Sequence, residues 1–79
     1  MKEEIIKKLE QIISAHLGIP PEQLSDDISY ETESDWDSIT HLQMISDIEN
    51  AFNFSFEIEE ITCLETIGNI KESVLKKVG

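Results

Sequence analysis

Apolar residues in the first stretch of the chain return at three- and four-residue steps: Ile5, Ile6, Leu9, Ile12, Ile13 and Leu17, with Lys7, Lys8, Glu10 and Gln11 between them. Side chains three and four apart share one face of a helix, so this spacing predicts an amphipathic helix. Gly18 and the pair Pro20-Pro21 end it. Glycine takes the left-handed cap conformation at no steric cost, and proline restricts the residue before it and cannot extend the ladder. A second stripe, Ile39, Leu42, Ile45, Ile48 and Phe52 with Met44 beside it, predicts a helix from about Ser38 to Phe52. Asp37 suits its N-cap, where a carboxylate accepts first-turn N–H bonds and meets the positive end of the dipole. Asn53 suits its end, because asparagine tolerates the cap conformation.

Between these helices, Ile19 to Asp37 is polar and acidic, with Leu24, Ile28, Tyr30 and Trp36 as spaced apolar anchors. A long loop is expected there, with a short turn near Pro21 to Leu24 and with Tyr30 and Trp36 pinning it to the core. Phe54-Ser55-Phe56 alternates as a strand would, but no second stretch offers a pairing partner, which excludes a sheet. A short helix from about Glu57 to Ile61 and a last one from about Glu65 to Val78, carrying Ile67, Ile70, Val74, Leu75 and Val78, complete the pattern. The last helix has two candidate starts, Thr62 with Glu65 at capping-box spacing, or Thr66 itself. The expected fold is all-α: a four-helix bundle with three longer helices, one short helix and a long loop between helices 1 and 2. Residues 1–79 form a single domain, since a chain this short cannot support two cores.

Charge narrows the function. Seventeen Asp and Glu stand against six Lys, for a net charge of −11. The lysines fall near the two ends, so the negative field belongs to residues 22 to 65. Nucleic-acid binding draws on clustered Lys and Arg and is excluded; basic protein surfaces and brief contacts suit this field. Cys63 is the only cysteine, so no internal disulfide forms, and it is expected as a small apolar residue in the core. The N-terminal Met1-Lys2-Glu3-Glu4 lacks an export signal and no apolar run spans a membrane, so a cytoplasmic monomer is expected.

Candidate chemistry concentrates in Asp35-Trp36-Asp37-Ser38-Ile39-Thr40-His41-Leu42, where a serine leaves a polar loop at the head of an amphipathic helix. A Ser38–His41 hydrolase lacks a glycine-rich nucleophile elbow and an oxyanion site. His41 is expected to face solvent or a partner, and His16 to be an ordinary residue near a helix C-terminus. A calcium loop starting at Asp35 fails, because Thr40 and Ser46 stand where Gly and Glu are required. An acidic adaptor that binds partner helices through an apolar groove, without a covalent arm, is the alternative from another class.

The Asp37-Ser38-Ile39 tripeptide, the apolar positions Leu42, Ile45, Ile48 and Phe52, the Thr66-Ile67 pair and Leu17-Gly18-Ile19 together resemble the acyl carrier proteins over essentially the whole chain. The resemblance implies a carrier, not an enzyme. It implies 4'-phosphopantetheine from coenzyme A, attached covalently to Ser38 by a phosphopantetheinyl transferase that brings its own base and magnesium ion. The arm's thiol then holds an acyl or aminoacyl group as a thioester, passed between loading and transferring enzymes with basic docking patches. It further places partner recognition at Asp35, Trp36, Asp37, Ile39, Gln43, Asp47 and Glu49, and for some members implies an apolar space for an acyl chain inside the bundle. Four positions depart from the fatty-acid members. Asp35 stands where they have glycine, Trp36 where they have a small residue, and Gln43 and Asn50 where they have acids. These departures point to a stand-alone carrier of a specialised polyketide, peptide or glycan-modifying pathway.

Overall fold

The computed structural model describes residues 2–78. Helix α1 runs Lys2–Leu17 and buries Leu9, Ile13 and Leu17. It stops at Gly18, whose φ of 72° is open to glycine and strained for other residues. A single 3₁₀ turn at Pro21–Gln23 follows, as the proline pair dictates. Helix α2 runs Ser38–Phe52 and ends on Asn53 in the left-handed conformation, φ 61° and ψ 48°. Helix α3, Ile58–Cys63, starts from a capping box in which Glu57 N–H donates to Glu60 Oε1 at 2.8 Å. Helix α4 runs Ile67–Val78.

Thr66 decides between the two candidate starts of α4. Its Oγ1 accepts from Asn69 N–H at 3.0 Å, and Asn69 Oδ1 accepts from Thr66 N–H at 3.2 Å. This reciprocal pair makes Thr66 the cap, and the helix starts at Ile67, two residues later than the expected Glu65. The short helix likewise starts one residue later than expected, because Glu57 serves as its cap.

No strand occurs among the described residues, as expected; one isolated antiparallel bridge joins Ser29 to Thr66. Around it Tyr30 N–H donates to Glu65 O at 2.8 Å, Ile67 N–H to Ile28 O at 3.0 Å and Gly68 N–H to Asp26 O at 3.1 Å. The long loop is thus laid along the α3–α4 connection, and its backbone groups find partners there without a sheet. A Cβ on Gly68 would stand 3.1 Å from Asp26 Cβ, so glycine is what lets the loop come this close.

The core joins Leu9, Ile13 and Leu17 of α1, Met44, Ile45 and Ile48 of α2, and Ile67, Ile70 and Val74 of α4. Trp36, Phe56 and Leu64 close it from the connections. Each such side chain contributes about 1.5–3 kcal/mol on burial.

Three expectations are corrected here. Ile39 and Leu42 are 69% and 60% exposed, so of the predicted stripe on α2 Ile45 and Ile48 are buried as expected, and at the first turns His41 and Met44 take the inward places instead. At its first turns α2 carries two apolar faces, and only one meets the core. His41, expected to face solvent or a partner, is 8% exposed and belongs to the buried face. Cys63, expected in the core, is exposed, because the chain at the end of α3 turns Leu64 inward instead.

Candidate functional site

Ser38 is the first residue of α2 and is exposed. Asp37, with extended backbone, caps the helix by accepting Thr40 N–H on Oδ1 at 2.8 Å. That backbone bond, followed by a side-chain bond from Thr40, holds the Asp37 carboxyl below the ordinary value of 3.8.

The long loop delivers Tyr30 to the serine. Its hydroxyl lies 2.7 Å from Ser38 Oγ. The Tyr30 ring meets Trp36 edge-on, with centroids 6.1 Å apart, and His41 at 5.7 Å. Trp36 in turn donates Nε1–H to His41 Nδ1 at 2.9 Å. Since indole can only donate, Nδ1 must accept and the imidazole proton sits on Nε2. Nε2 is 3.1 Å from Ile61 O and therefore donates to it. A connected set of contacts thus runs from Ser38 through Tyr30, Trp36 and His41 to α3.

Beside Ser38 lies a cavity of about 400 Å³, lined by Tyr30, His41, Leu42, Ile61 and Leu64, with Glu31 and Glu65 among the polar residues at its edge. It sits between the start of α2 and α3. No base stands against Ser38 that would make it a nucleophile on its own: His41 has both ring nitrogens engaged elsewhere. No group of three or more metal-ligating side chains occurs among the described residues.

The other residues singled out in the sequence fall into three groups. Asp35, Asp37, Ile39 and Gln43 surround Ser38 or follow it on the exposed side of the helix. Asp47 pairs with His16 of α1 at 2.5 Å, and Glu49 accepts Phe56 N–H at 2.7 Å, so both carboxylates serve the fold. Trp36 is 2% exposed and corrects its assignment to partner recognition: its ring faces the core and its N–H is committed to His41. Tyr30 and His41 are the site residues that sequence reasoning missed. Neither sits in the motif in a way that announces contact, and the loop must fold before Tyr30 reaches a serine eight positions later.

The site is thus an exposed serine at a capped helix start with a largely apolar cavity alongside. The comparisons with known proteins give it a family. The model of the phosphopantetheine attachment site family matches residues 7–74, and the chain belongs to that family, as an acyl carrier protein. It is 37% identical over 73 residues to the acyl carrier protein of Cyanidium caldarium, covering 92% of this chain and 81% of that one. It is 27% identical over 78 residues to that of Saccharopolyspora erythraea, covering 99% and 82%. The solved acyl carrier protein of Enterococcus faecalis superposes with a TM-score of 0.79 at 25% identity, over 96% of each chain.

Membership brings carriage without catalysis, a covalently attached 4'-phosphopantetheine, and dealings with a phosphopantetheinyl transferase and acyl-handling enzymes. No helix among the described residues is long and apolar enough to cross a membrane.

Proposed function

We propose that Ser38 is the attachment residue, and that this carrier serves the enzymes of one specialised pathway. The observation that carries the first part is the exposed Ser38 hydroxyl on the first residue of α2, beside the cavity between α2 and α3. The surroundings fit the group. The hydroxyl stands clear for an enzyme to reach, and the cavity gives the inner part of an arm somewhere to lie.

In the transfer, Ser38 Oγ attacks the phosphorus of coenzyme A that bears the pantetheine. The Oγ–P bond forms, the bond from that phosphorus to the adenosine bisphosphate breaks, and the serine proton goes to a base of the transferase. What the arm supplies is a thiol that holds an acyl or aminoacyl group as a thioester. Asp37 keeps the helix start in place while this happens, because its carboxylate is fixed on Thr40 N–H.

Partner recognition belongs to the exposed side of α2 and its approach. Ile39 and Leu42 give that side an apolar centre, and Ile58, 79% exposed, adds to it from α3. Gln43, Ser46 and Asn50 keep the flank neutral, while Asp35, Asp37, Glu57 and Glu59 are exposed acids around it. A partner with an apolar patch rimmed by Lys or Arg fits this surface. Asp47 and Glu49 add less than their charge suggests, since each already has a partner. The neutral flank and the exposed Asp35 of the approach support a specialised clientele over general fatty-acid synthesis.

Intact mass after incubation with coenzyme A, magnesium and a broad-specificity transferase tests the attachment. One phosphopantetheine is gained by the wild type and none by Ser38→Ala. A gain that survives Ser38→Ala would overturn the assignment. For the pathway, the holo chain is offered to polyketide, peptide and glycan-modifying loading enzymes alongside a fatty-acid condensing enzyme. Preference for the last would overturn the specialised reading.

A further inference from the structure

We infer that the Tyr30 hydroxyl is a phosphate-binding group of this carrier, holding the phosphodiester once Ser38 is modified. The inference rests on the attachment reading above. It starts from the 2.7 Å contact between Tyr30 Oη and Ser38 Oγ. In the unmodified chain either hydroxyl can donate. After modification the choice is gone: Ser38 Oγ becomes an ester oxygen without a proton, so Tyr30 becomes the donor to the ester or to an adjoining phosphate oxygen. A neutral contact is thereby replaced by a charge-assisted one, which is shorter and stronger.

The surroundings make this donor matter. A phosphodiester on Ser38 carries a negative charge next to the Asp37 carboxylate, and Glu31 and Glu65 lie at the edge of the neighbouring cavity. The helix start, which ordinarily receives such an anion, already gives Thr40 N–H to Asp37. No lysine lines that cavity, and Lys71 is engaged with Glu10 and Asp26, Lys77 with Glu60. A neutral donor beside the anion thus offsets repulsion that the local charges create.

Tyr30 is also built to stay there. Its N–H is bonded to Glu65 O, and its ring is held edge-on by Trp36 and His41, themselves joined by a hydrogen bond. A fixed donor costs little further ordering when the phosphate arrives. In consequence the root of the arm is oriented by the long loop, and not by α2 alone.

The test uses Tyr30→Phe, which keeps the ring and removes the hydroxyl, in apo and holo forms checked by near-ultraviolet circular dichroism. Wild type and variant both gain one phosphopantetheine, whereas Ser38→Ala gains none. The ³¹P resonance of the holo wild type is displaced from its position in urea-unfolded holo protein, and in the variant it moves back toward that position. An unchanged ³¹P resonance in a folded holo variant overturns the phosphate role alone. Failure of the wild type to gain mass overturns the attachment reading and this one with it. Should the variant lose its fold, the wild type gives the answer directly, because Tyr30 is the only tyrosine. Its ¹³Cζ resonance shifts between apo and holo forms and reverts when a phosphodiesterase removes the arm; no shift overturns the role.

Discussion

Trp36 and His41 set the shape of the site through one buried hydrogen bond. The indole N–H has His41 Nδ1 as its partner at 2.9 Å in a buried setting, and His41 Nε2 reaches Ile61 O at 3.1 Å. Trp36→Phe leaves Nδ1 facing a ring, and an unsatisfied buried acceptor costs about 1–3 kcal/mol before any repacking. Urea unfolding should register that loss. In a double-mutant cycle with His41→Ala, the two residues should couple by about 0.5–3 kcal/mol, whereas additive losses would mean that the bond contributes nothing. Asp37 gives a prediction in pH. Its folded carboxyl is held below 3.8, so the folded state releases the proton more readily than the unfolded chain. The stability this provides is present above 3.8 and lost as pH falls through the lower folded value. Asp37→Asn caps without a charge, and its melting temperature should fall less steeply across that acid window than the wild type's.

At the scale of elements, the loop between α1 and α2 depends on α4. Lys71 is 3.0 Å from both Glu10 of α1 and Asp26 of the loop. Burial alone would lower its pKa, but the hydrogen bonds it donates to Glu10 and Asp26 outweigh burial and raise it above 10.5. A raised lysine stabilises fully below 10.5 and loses that contribution as pH climbs through the folded value. Lys71→Met keeps the apolar stem, should cost about 1 kcal/mol near neutrality, and should abolish this alkaline slope in thermal melts. The helices themselves were legible in the sequence because their signals are local: Gly18, Asp37 and Asn53 each act within a turn of where they stand. Thr66 was a candidate for the same reason. What the pattern could not decide was which of two apolar faces of α2 meets the core. Ile39 and Leu42 look like core residues until His41, bonded to Trp36, and Met44 are seen to be the buried side chains instead. The Tyr30–Ser38 contact was illegible for a different reason, since it depends on where a long loop comes to rest on the α3–α4 connection. Cys63 was misplaced because its neighbour Leu64 turns inward there and leaves the thiol outside.

For the whole molecule, a net charge of −11 is not much relieved from within. Lys71 and Lys77 are bonded to carboxylates, and Lys8 lies over the Phe52 ring, 5.4 Å from its centroid. The remaining field is long-ranged, while the centre of the proposed docking face, Ile39 and Leu42, is apolar and short-ranged. The two therefore act on different rates. Charge governs encounter with a basic partner and is screened as the Debye length falls from about 10 Å at 0.1 M salt to about 3 Å at 1 M. Apolar contact governs how long the complex lasts. With the transferase as the partner on a biosensor surface, added salt should slow association of the wild type and leave dissociation nearly unchanged. Ile39→Ala and Leu42→Ala should do the reverse, each raising the dissociation rate up to about tenfold, or ~1.4 kcal/mol. Asp47→Ala should alter neither rate by much, because that carboxylate is already committed to His16. A strong association defect in Asp47→Ala would show that the acids along α2 steer the partner, and that the exposed acids of the loop and α3 do not carry the encounter.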